Sequence, residues 1–362
     1  MKIAIVGFPT VGKTTLFNLL TDAAAETSRF GTSGRADPNI GIARVEDDRL
    51  QTLSDLFTPK KTTPATVDYV DLVGVRKEDA DTGLAVAEAR NADALMHVVR
   101  AFADESITHT EGSVDPRRDI ATMETGLILA DHVIADRRIE KLRTSIRKTS
   151  RDDEKRELAL LERILGSLEA EQPIRAMTLD EDETKVLRGF AFLSAKPILH
   201  VVNVGEEDMG HVPDFVEHFG LAAHADQAQT ALMPLSARLE HEIAQLPAED
   251  AAAFQADLGI PDLCRPRVIR ASYDLLGLIS FFTVGEDECR AWSIPCKTPA
   301  RQAGSVIHSD IERGFIRAEI VPAADLLALK TYAAAREKGV LRLEGKLYEI
   351  ADGDVINFRF NV

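Results

Sequence analysis

Cysteine, tyrosine and tryptophan are scarce in this chain, with three, four and one residues respectively among 362. The cysteines, Cys264, Cys289 and Cys296, are odd in number, form no CxxC pair and have no histidine at metal-ligand spacing. A disulfide framework and a zinc finger are thereby excluded, and reduced thiols in a cytosol are expected. Long hydrophobic runs are missing too: no stretch of about eighteen apolar residues exists, so no membrane span is expected. The chain passes straight into an apolar strand, Lys2 to Val6, without the regions of a secretory signal, and a cytoplasmic location follows as the expectation. Positive charge is in deficit. Lys and Arg number 43 against 59 Asp and Glu, a net −16, which repels phosphate backbones at long range and excludes nucleic-acid binding by the whole surface. A local basic patch is left open.

Against those absences, hydrophobic residues at 45% and charged residues at 28% match an ordinary globular protein. A chain of 362 residues is too long for one small core and suits two or three domains. Lys2–Val6, Val67–Asp71, Ala94–Val99 and Pro197–Val202 are near-continuous apolar strands separated by helical stretches. That pattern predicts an α/β fold with a mostly parallel sheet covered by helices on both faces.

The first strand runs into Gly7-Phe8-Pro9-Thr10-Val11-Gly12-Lys13-Thr14 and then a helical stretch from Thr15. GxxxxGK[ST] between strand and helix is a P-loop, because each part has its own electrostatic task. Gly7 and Gly12 let backbone N–H groups turn toward phosphate oxygens, and the following helix adds its positive end. Lys13 is expected to reach the β/γ-phosphates and Thr14 to ligate Mg²⁺. Asp71 closes the next strand as the carboxylate on the metal side, and Gly74 offers an unhindered N–H to the γ-phosphate. For base recognition, Asn203-Val204-Gly205-Glu206 follows the strand Pro197–Val202, and Ser236-Ala237 follows Leu232–Leu235. GTPases usually place Asn-Lys-x-Asp at the first position. Val204 removes the lysine and Glu206 sets the carboxylate one methylene further out, so guanine selectivity is expected to weaken. A turn-capping role for Asn203 is the alternative reading. The nucleotide-binding set is therefore Gly7, Pro9, Thr10, Val11, Gly12, Lys13, Thr14, Thr15, Gly74, Asn203, Val204, Glu206, Ser236 and Ala237, with ATP or GTP as substrate.

Residues 122–194 change character, with helical patterning and no strand signal. Ile139, Leu142 and Ile146, then Leu158, Leu161, Leu165 and Leu168, stand at heptad-like spacing on either side of a charged stretch, which predicts an antiparallel coiled-coil insertion. Arg137, Arg138, Lys141, Arg143, Arg147, Lys148 and Arg151 concentrate positive charge there, either as a solvated face or as a contact for RNA or an acidic partner. Beyond Gly277, strands Leu278–Val284, Phe315–Val321 and Val355–Phe360 and a helix Ala323–Ala335 make a small α+β domain. The expected division is 1–121 with 195–277 as the nucleotide-binding domain, 122–194 as the helical insertion, and 278–362 as the C-terminal domain. Arg313, Arg317 and Arg342 of the last are candidates for RNA, or else pair with nearby Glu312, Glu319 and Glu344.

In order along the chain, these motifs resemble the YchF subfamily of Obg-related P-loop nucleotidases. The resemblance extends to Asp37-Pro38-Asn39-Ile40-Gly41, Ser236-Ala237-Arg238-Leu239-Glu240, Arg290-Ala291-Trp292, Gly304 to Asp310, Glu312 to Glu319 and Phe358-Arg359-Phe360-Asn361-Val362. It implies a G domain, a helical arm and a TGS-like (ubiquitin-like) C-terminal domain. It also implies ATP bound at least as well as GTP, slow hydrolysis, and association with the ribosome or ribosomal RNA; a monomer is expected. The family lacks the usual glutamine after DxxG, and Val75 stands there in this chain. A histidine on a loop after the third core strand takes the water-orienting task in the family. His109 occupies the matching place, as an exposed loop residue by expectation. The chain departs from the family at Thr10, where asparagine is usual, at Arg35, which leaves Thr32 or Ser33 as first-switch substitutes, and in the segment from Val75 to Gly83. A nucleotide-dependent binding module with negligible turnover, contacting ribosome or RNA through the arm and C-terminal domain, is the alternative function.

Overall fold

A computed structural model describes residues 1–21, 38–72, 83–149, 151–257 and 263–361. Arg35, Thr32, Ser33, Asp37, Gly74 and Val75 lie outside those residues. The strands among them are, in chain order, β1 (Lys2–Val6), β2 (Asn39–Arg44), β3 (Lys61–Thr63), β4 (Thr66–Asp71), β5 (Ala94–Arg100), β6 (Ile198–Asn203), β7 (Thr230–Leu235), β8 (Leu278–Val284), β9 (Glu288–Pro295), β10 (Phe315–Pro322), β11 (Arg342–Glu344) and β12 (Asp354–Phe360). They form two six-stranded sheets, ordered β2-β4-β1-β5-β6-β7 and β11-β10-β12-β8-β9-β3.

In the first sheet β1 pairs in parallel with β4 and β5, β5 with β6, and β6 with β7. Every residue of β5 and β6 is buried, which explains their unbroken apolar character: both faces are covered, so no alternation is needed. The flanking helices include α1 (Lys13–Thr21) after β1, α3 (Gly83–Asn91) before β5 and the long α4 (Pro116–Thr149) after it, whereas α2 (Asp48–Phe57) belongs with the C-terminal sheet. A network of four buried polar side chains, His97, His200, Glu124 and Arg175, interrupts the apolar interior. His97 and His200 bring their Nδ1 atoms to 3.1 Å, and Glu124 of α4 lies 3.6 Å from His200 Nε2 and is ion-paired with Arg175. With the Glu124 anion at one end, the consistent tautomers are His200 donating from Nε2 toward Glu124 and His97 donating from Nδ1 to His200.

The insertion is a hairpin of α4 and α5 (Asp152–Glu169). Its own core contains Ile139, Leu142, Leu160, Leu161, Ile164 and Leu168, with Ile146, Leu158 and Leu165 packed at the margin. Its seam on α5 therefore runs through Leu160 and Ile164 as well as the heptad leucines. Asp131 of α4 accepts the Leu193 and Ser194 backbone N–H groups at 2.9 and 2.6 Å and pairs with Arg90, which pins the returning chain just before β6. Across the hairpin Arg138 pairs with Glu157 and Arg143 with Glu162, and Arg151 pairs with Asp153.

The chain divides into two compact units, 1–41 with 68–265, and 42–67 with 266–362. Residues 42–67, which the sequence places in the nucleotide-binding part, thus group with the C-terminal part. There β3 adds in parallel to β9 with Lys61 opposite Glu288, and Arg49 of α2 bridges to Asp352 at 2.6 Å. The C-terminal sheet is mixed, with β10 antiparallel to β11 and β12, β8 antiparallel to β9, and β12 parallel to β8. The helix expected over Ala323–Ala335 is two, Ala323–Leu329 and Tyr332–Glu337. Lys330 between them sits at φ 63°, a left-handed cap that ends the first, and Thr331 caps the second by accepting from Ala334 N.

Candidate functional site

The phosphate loop follows from the backbone that its sequence permits. Gly7 and Gly12 hold φ of 146° and 102°. A Cβ on Gly7 would sit 2.5 Å from the Val98 carbonyl oxygen, and one on Gly12 would sit 2.5 Å from Asn203 Nδ2. Both positions thus exclude larger residues by space as well as by torsion. Thr10 adopts φ 61°, an uncomfortable conformation for a β-branched residue, and its hydroxyl donates to the Pro9 carbonyl at 2.7 Å. Lys13 opens α1, and Thr14 and Thr15 follow in its first turn, where the helix presents free N–H groups.

Lys13 is buried, and its Nζ donates to the carbonyls of Gly7 at 3.1 Å and Phe8 at 2.7 Å. Burial lowers its pKa to about 8, with the nearby Asp71 charge opposing. Asp71 ends β4, opposite Ile5 of β1. Its Oδ2 accepts from Thr14 Oγ1 at 2.8 Å, while its Oδ1 is buried with no hydrogen bond of good geometry among the described residues. Burial pushes the Asp71 carboxyl upward, against the Thr14 hydroxyl, the Lys13 charge and the Asn39 side chain. An oxygen pair with one orphaned, desolvated carboxylate oxygen fits a hard divalent cation.

Asn203, at the end of β6, caps no turn. Its Nδ2 donates to the Val11 carbonyl at 2.9 Å and its Oδ1 accepts from Ala237 N at 3.0 Å, so one buried carboxamide braces the P-loop against the helix Ala237–Ala244. Val204 and Ser236 are buried beside it, and Glu206 is exposed at the start of the next turn. Glu240, in the same helix, accepts from Cys264 N at 2.6 Å and caps the helix Cys264–Leu275.

His109 is a correction to the expected exposed loop residue: it is 8% accessible. Its Nδ1 accepts from Glu111 N at 3.1 Å and its Nε2 lies 2.9 Å from Asp119 Oδ2. Two residues that carry this arrangement were not singled out from the sequence. Arg100, buried at the end of β5, donates to the carbonyls of Phe102, Asp104 and Ile107. Asp119 lies in the first turn of α4. An arginine ending an apolar strand was a signal that could have marked the first; nothing local marked the second.

A parallel sheet, a glycine-framed phosphate loop with a buried lysine, and a Thr–Asp pair at the adjoining strand end define a P-loop nucleoside triphosphate hydrolase. Residues 2–130 match the family model described as 50S ribosome-binding GTPase, and 278–361 match the YchF-GTPase C-terminal model, described as a protein of unknown function. The chain belongs to the YchF family. It is 41% identical over 366 residues to the Bacillus subtilis protein named ribosome-binding ATPase YchF, covering all of both chains. The Escherichia coli O157:H7 protein of that name is 38% identical, with 100% of this chain and 99% of the relative covered. The solved Schizosaccharomyces pombe YchF GTPase superposes with a TM-score of 0.82 at 29% identity, over 99% of this chain and 97% of that one.

Proposed function

We propose that this chain binds ATP, and GTP to a comparable or lesser degree, together with Mg²⁺. It hydrolyses the nucleotide to the diphosphate and phosphate, and serves in the cytoplasm as a monomeric switch on the ribosome. The observation that carries the reading is the contact of Thr14 with Asp71 beside the buried Lys13. Thr14 directly, and Asp71 directly or through water, would hold the cation, which when bound supplies charge neutralisation at the phosphates. The P-loop N–H groups and the first turn of α1 bind the β- and γ-phosphate oxygens. Lys13 exchanges its two carbonyl acceptors for phosphate oxygens and stabilises charge developing between the β and γ positions. His109 orients the attacking water, and the strand ends carrying Asn203 to Glu206 and Ser236-Ala237 face the base. The functional parts are 1–121 with 195–277 for nucleotide, apart from the 42–67 segment that groups with the C-terminal unit, and the arm 122–194 and the TGS-like 278–362 for the ribosome or its RNA. Four of the seven basic residues clustered between Arg137 and Arg151, namely Arg137, Lys141, Arg147 and Lys148, make no ion pair among the described residues, leaving them for phosphate contacts.

Phosphate release by the Lys13→Ala and His109→Ala proteins tests the mechanism, with loss expected in both; unchanged turnover in either removes that residue. Titration with ATP and with GTP tests the Glu206 argument, which a strong GTP preference would overturn. A second reading, a nucleotide-dependent binding module with negligible turnover, is favoured by the burial of His109. Ribosome co-sedimentation with and without nucleotide, set against multiple-turnover hydrolysis, separates the two.

A further inference from the structure

The loop that bears His109 is held at two points. At its root, the three carbonyls of Phe102, Asp104 and Ile107 converge on the single guanidinium of Arg100. At its far end the imidazole is closed off on both sides: Nδ1 is occupied by the Glu111 N–H, which places the ring proton on Nε2, and Nε2 faces Asp119. Asp119 is itself fixed, its Oδ1 accepting from Arg118 Nε at 3.0 Å and Nη2 at 2.7 Å. A buried imidazole whose acceptor nitrogen is taken and whose N–H points at a carboxylate has no nitrogen left with which to hold a water. The Nε2 contact is close in distance but bent away from a linear hydrogen bond, since neither atom makes one by angle. It is a contact that can be exchanged for a better one.

We propose that Asp119 is a positioning residue that parks His109 in a resting state unable to act on water, and that departure of the ring from Asp119 is the step that switches hydrolysis on. This rests on the reading of His109 as the water-orienting group. The parked and released forms make a two-state equilibrium, and turnover scales with the released fraction. The attraction between the Nε2–H dipole and the Asp119 carboxylate, short of a well-aligned hydrogen bond, shifts that equilibrium by roughly tenfold.

The Asp119→Asn protein tests the proposal. An amide cannot serve both neighbours. With its oxygen toward Arg118 it turns an N–H₂ toward the Nε2–H of His109, and with the oxygen toward His109 it turns the N–H₂ toward Arg118. Two readouts are taken on the full chain: basal ATP hydrolysis, and the rate at which diethyl pyrocarbonate modifies His109, followed by peptide mass mapping against exposed His241. The expectation is that Asp119→Asn raises both by roughly tenfold, and that His109→Ala combined with Asp119→Asn returns hydrolysis to the level of His109→Ala alone. Faster modification with unchanged or lower hydrolysis overturns the restraint, as does unchanged modification. Wild-type turnover in His109→Ala overturns the underlying reading instead, whatever Asp119→Asn does, and the regulatory proposal falls with it. If Asp119→Asn does not fold, the nucleotide-free wild-type protein decides. Parked His109 is modified at least about tenfold more slowly than His241, and equal rates overturn the proposal.

Discussion

Replacing Asn203 by alanine separates a brace from a base reader. The carboxamide is buried and bridges the Val11 carbonyl and the Ala237 N–H, at 2.9 and 3.0 Å. Alanine leaves both backbone groups without that partner. A buried donor or acceptor stripped in this way costs about 1–3 kcal/mol, and two of them, with partial relaxation, give a loss of about 2–4 kcal/mol in stability without any nucleotide present. The same change loosens the peptide that must point its N–H at phosphate, so ATP and GTP are both expected to bind roughly tenfold more weakly, equivalent to about 1.4 kcal/mol. Denaturant unfolding followed by circular dichroism measures the first effect, and titration with each nucleotide the second. Gly12 provides a control through geometry: a Cβ there would press on Asn203 Nδ2, so Gly12→Ala is less damaging in the Asn203→Ala background, and the two changes are coupled in a double-mutant cycle. If Asn203→Ala keeps the wild-type unfolding midpoint and alters only the ratio of ATP to GTP affinity, the bracing argument is wrong and Asn203 reads the base.

The polar group under the P-loop strand sets an acid limit to stability. Burial lowers the pKa of both His97 and His200, with Glu124 opposing. Each is therefore neutral when folded and takes up a proton on unfolding below its ordinary 6.5, so stability is expected to fall with decreasing pH below 6.5, by about 1.4 kcal/mol per pH unit for each proton taken up. Burial alone would raise Glu124, but contact with His200 and the Arg175 charge bring it down to about 2. Its contribution is complete above 4.5 and disappears as pH falls through 2, extending the acid slope; a stability profile flat from pH 7 to 4 would refute the histidine assignment, and one flat from pH 4.5 to 2 the Glu124 assignment. At Thr10, φ 61° is a conformation that asparagine tolerates far better than a β-branched residue. Thr10→Asn is therefore expected to stabilise by about 0.5–1 kcal/mol, net of the lost hydroxyl bond to Pro9; a lowered unfolding midpoint would show that the torsion is not strained.

What could be read from the sequence tracks the range over which each residue acts. Lys13, Thr14 and the two glycines work within eight residues of one another, so their spacing alone conveyed their geometry, and β1, β5 and β6 were legible because burial on both faces leaves a continuous apolar run. Asn203 has partners 192 and 34 residues away, and no local pattern distinguishes a brace from a turn cap. The burial of His109 depends on Asp119 reaching it from another element. Strand β3 is a three-residue Lys-Thr-Thr whose membership of the C-terminal sheet is decided by pairing with β9, and such an edge has no hydrophobic signature. The arm was legible as a hairpin because its leucines repeat, yet its ion pairs tie Arg138 and Arg143 to α5 and remove part of the basic face that a charge count suggested.

On the proposed mechanism, every reacting group of the resting site is already partnered within the protein. Lys13 is engaged with loop carbonyls, Thr14 with Asp71, and His109 with Asp119. The three pairings are not equivalent. Triphosphate and its cation offer direct replacements for the first two: phosphate oxygens for the carbonyls around Lys13, and a metal for the Thr14 hydroxyl on a carboxylate whose other oxygen is orphaned. Binding therefore offsets the cost of breaking them. The His109 contact has no such compensation from the β- and γ-phosphates, because its partner belongs to the first turn of α4 rather than to the P-loop or β4. The proposed mechanism thus makes nucleotide binding and nucleotide turnover separable. On that mechanism affinity is set by the P-loop, Asp71 and Asn203 and the rate by whatever displaces His109 from Asp119, so a partner that engages the 101–119 segment or the start of α4 is expected to raise kcat while leaving nucleotide affinity nearly unchanged.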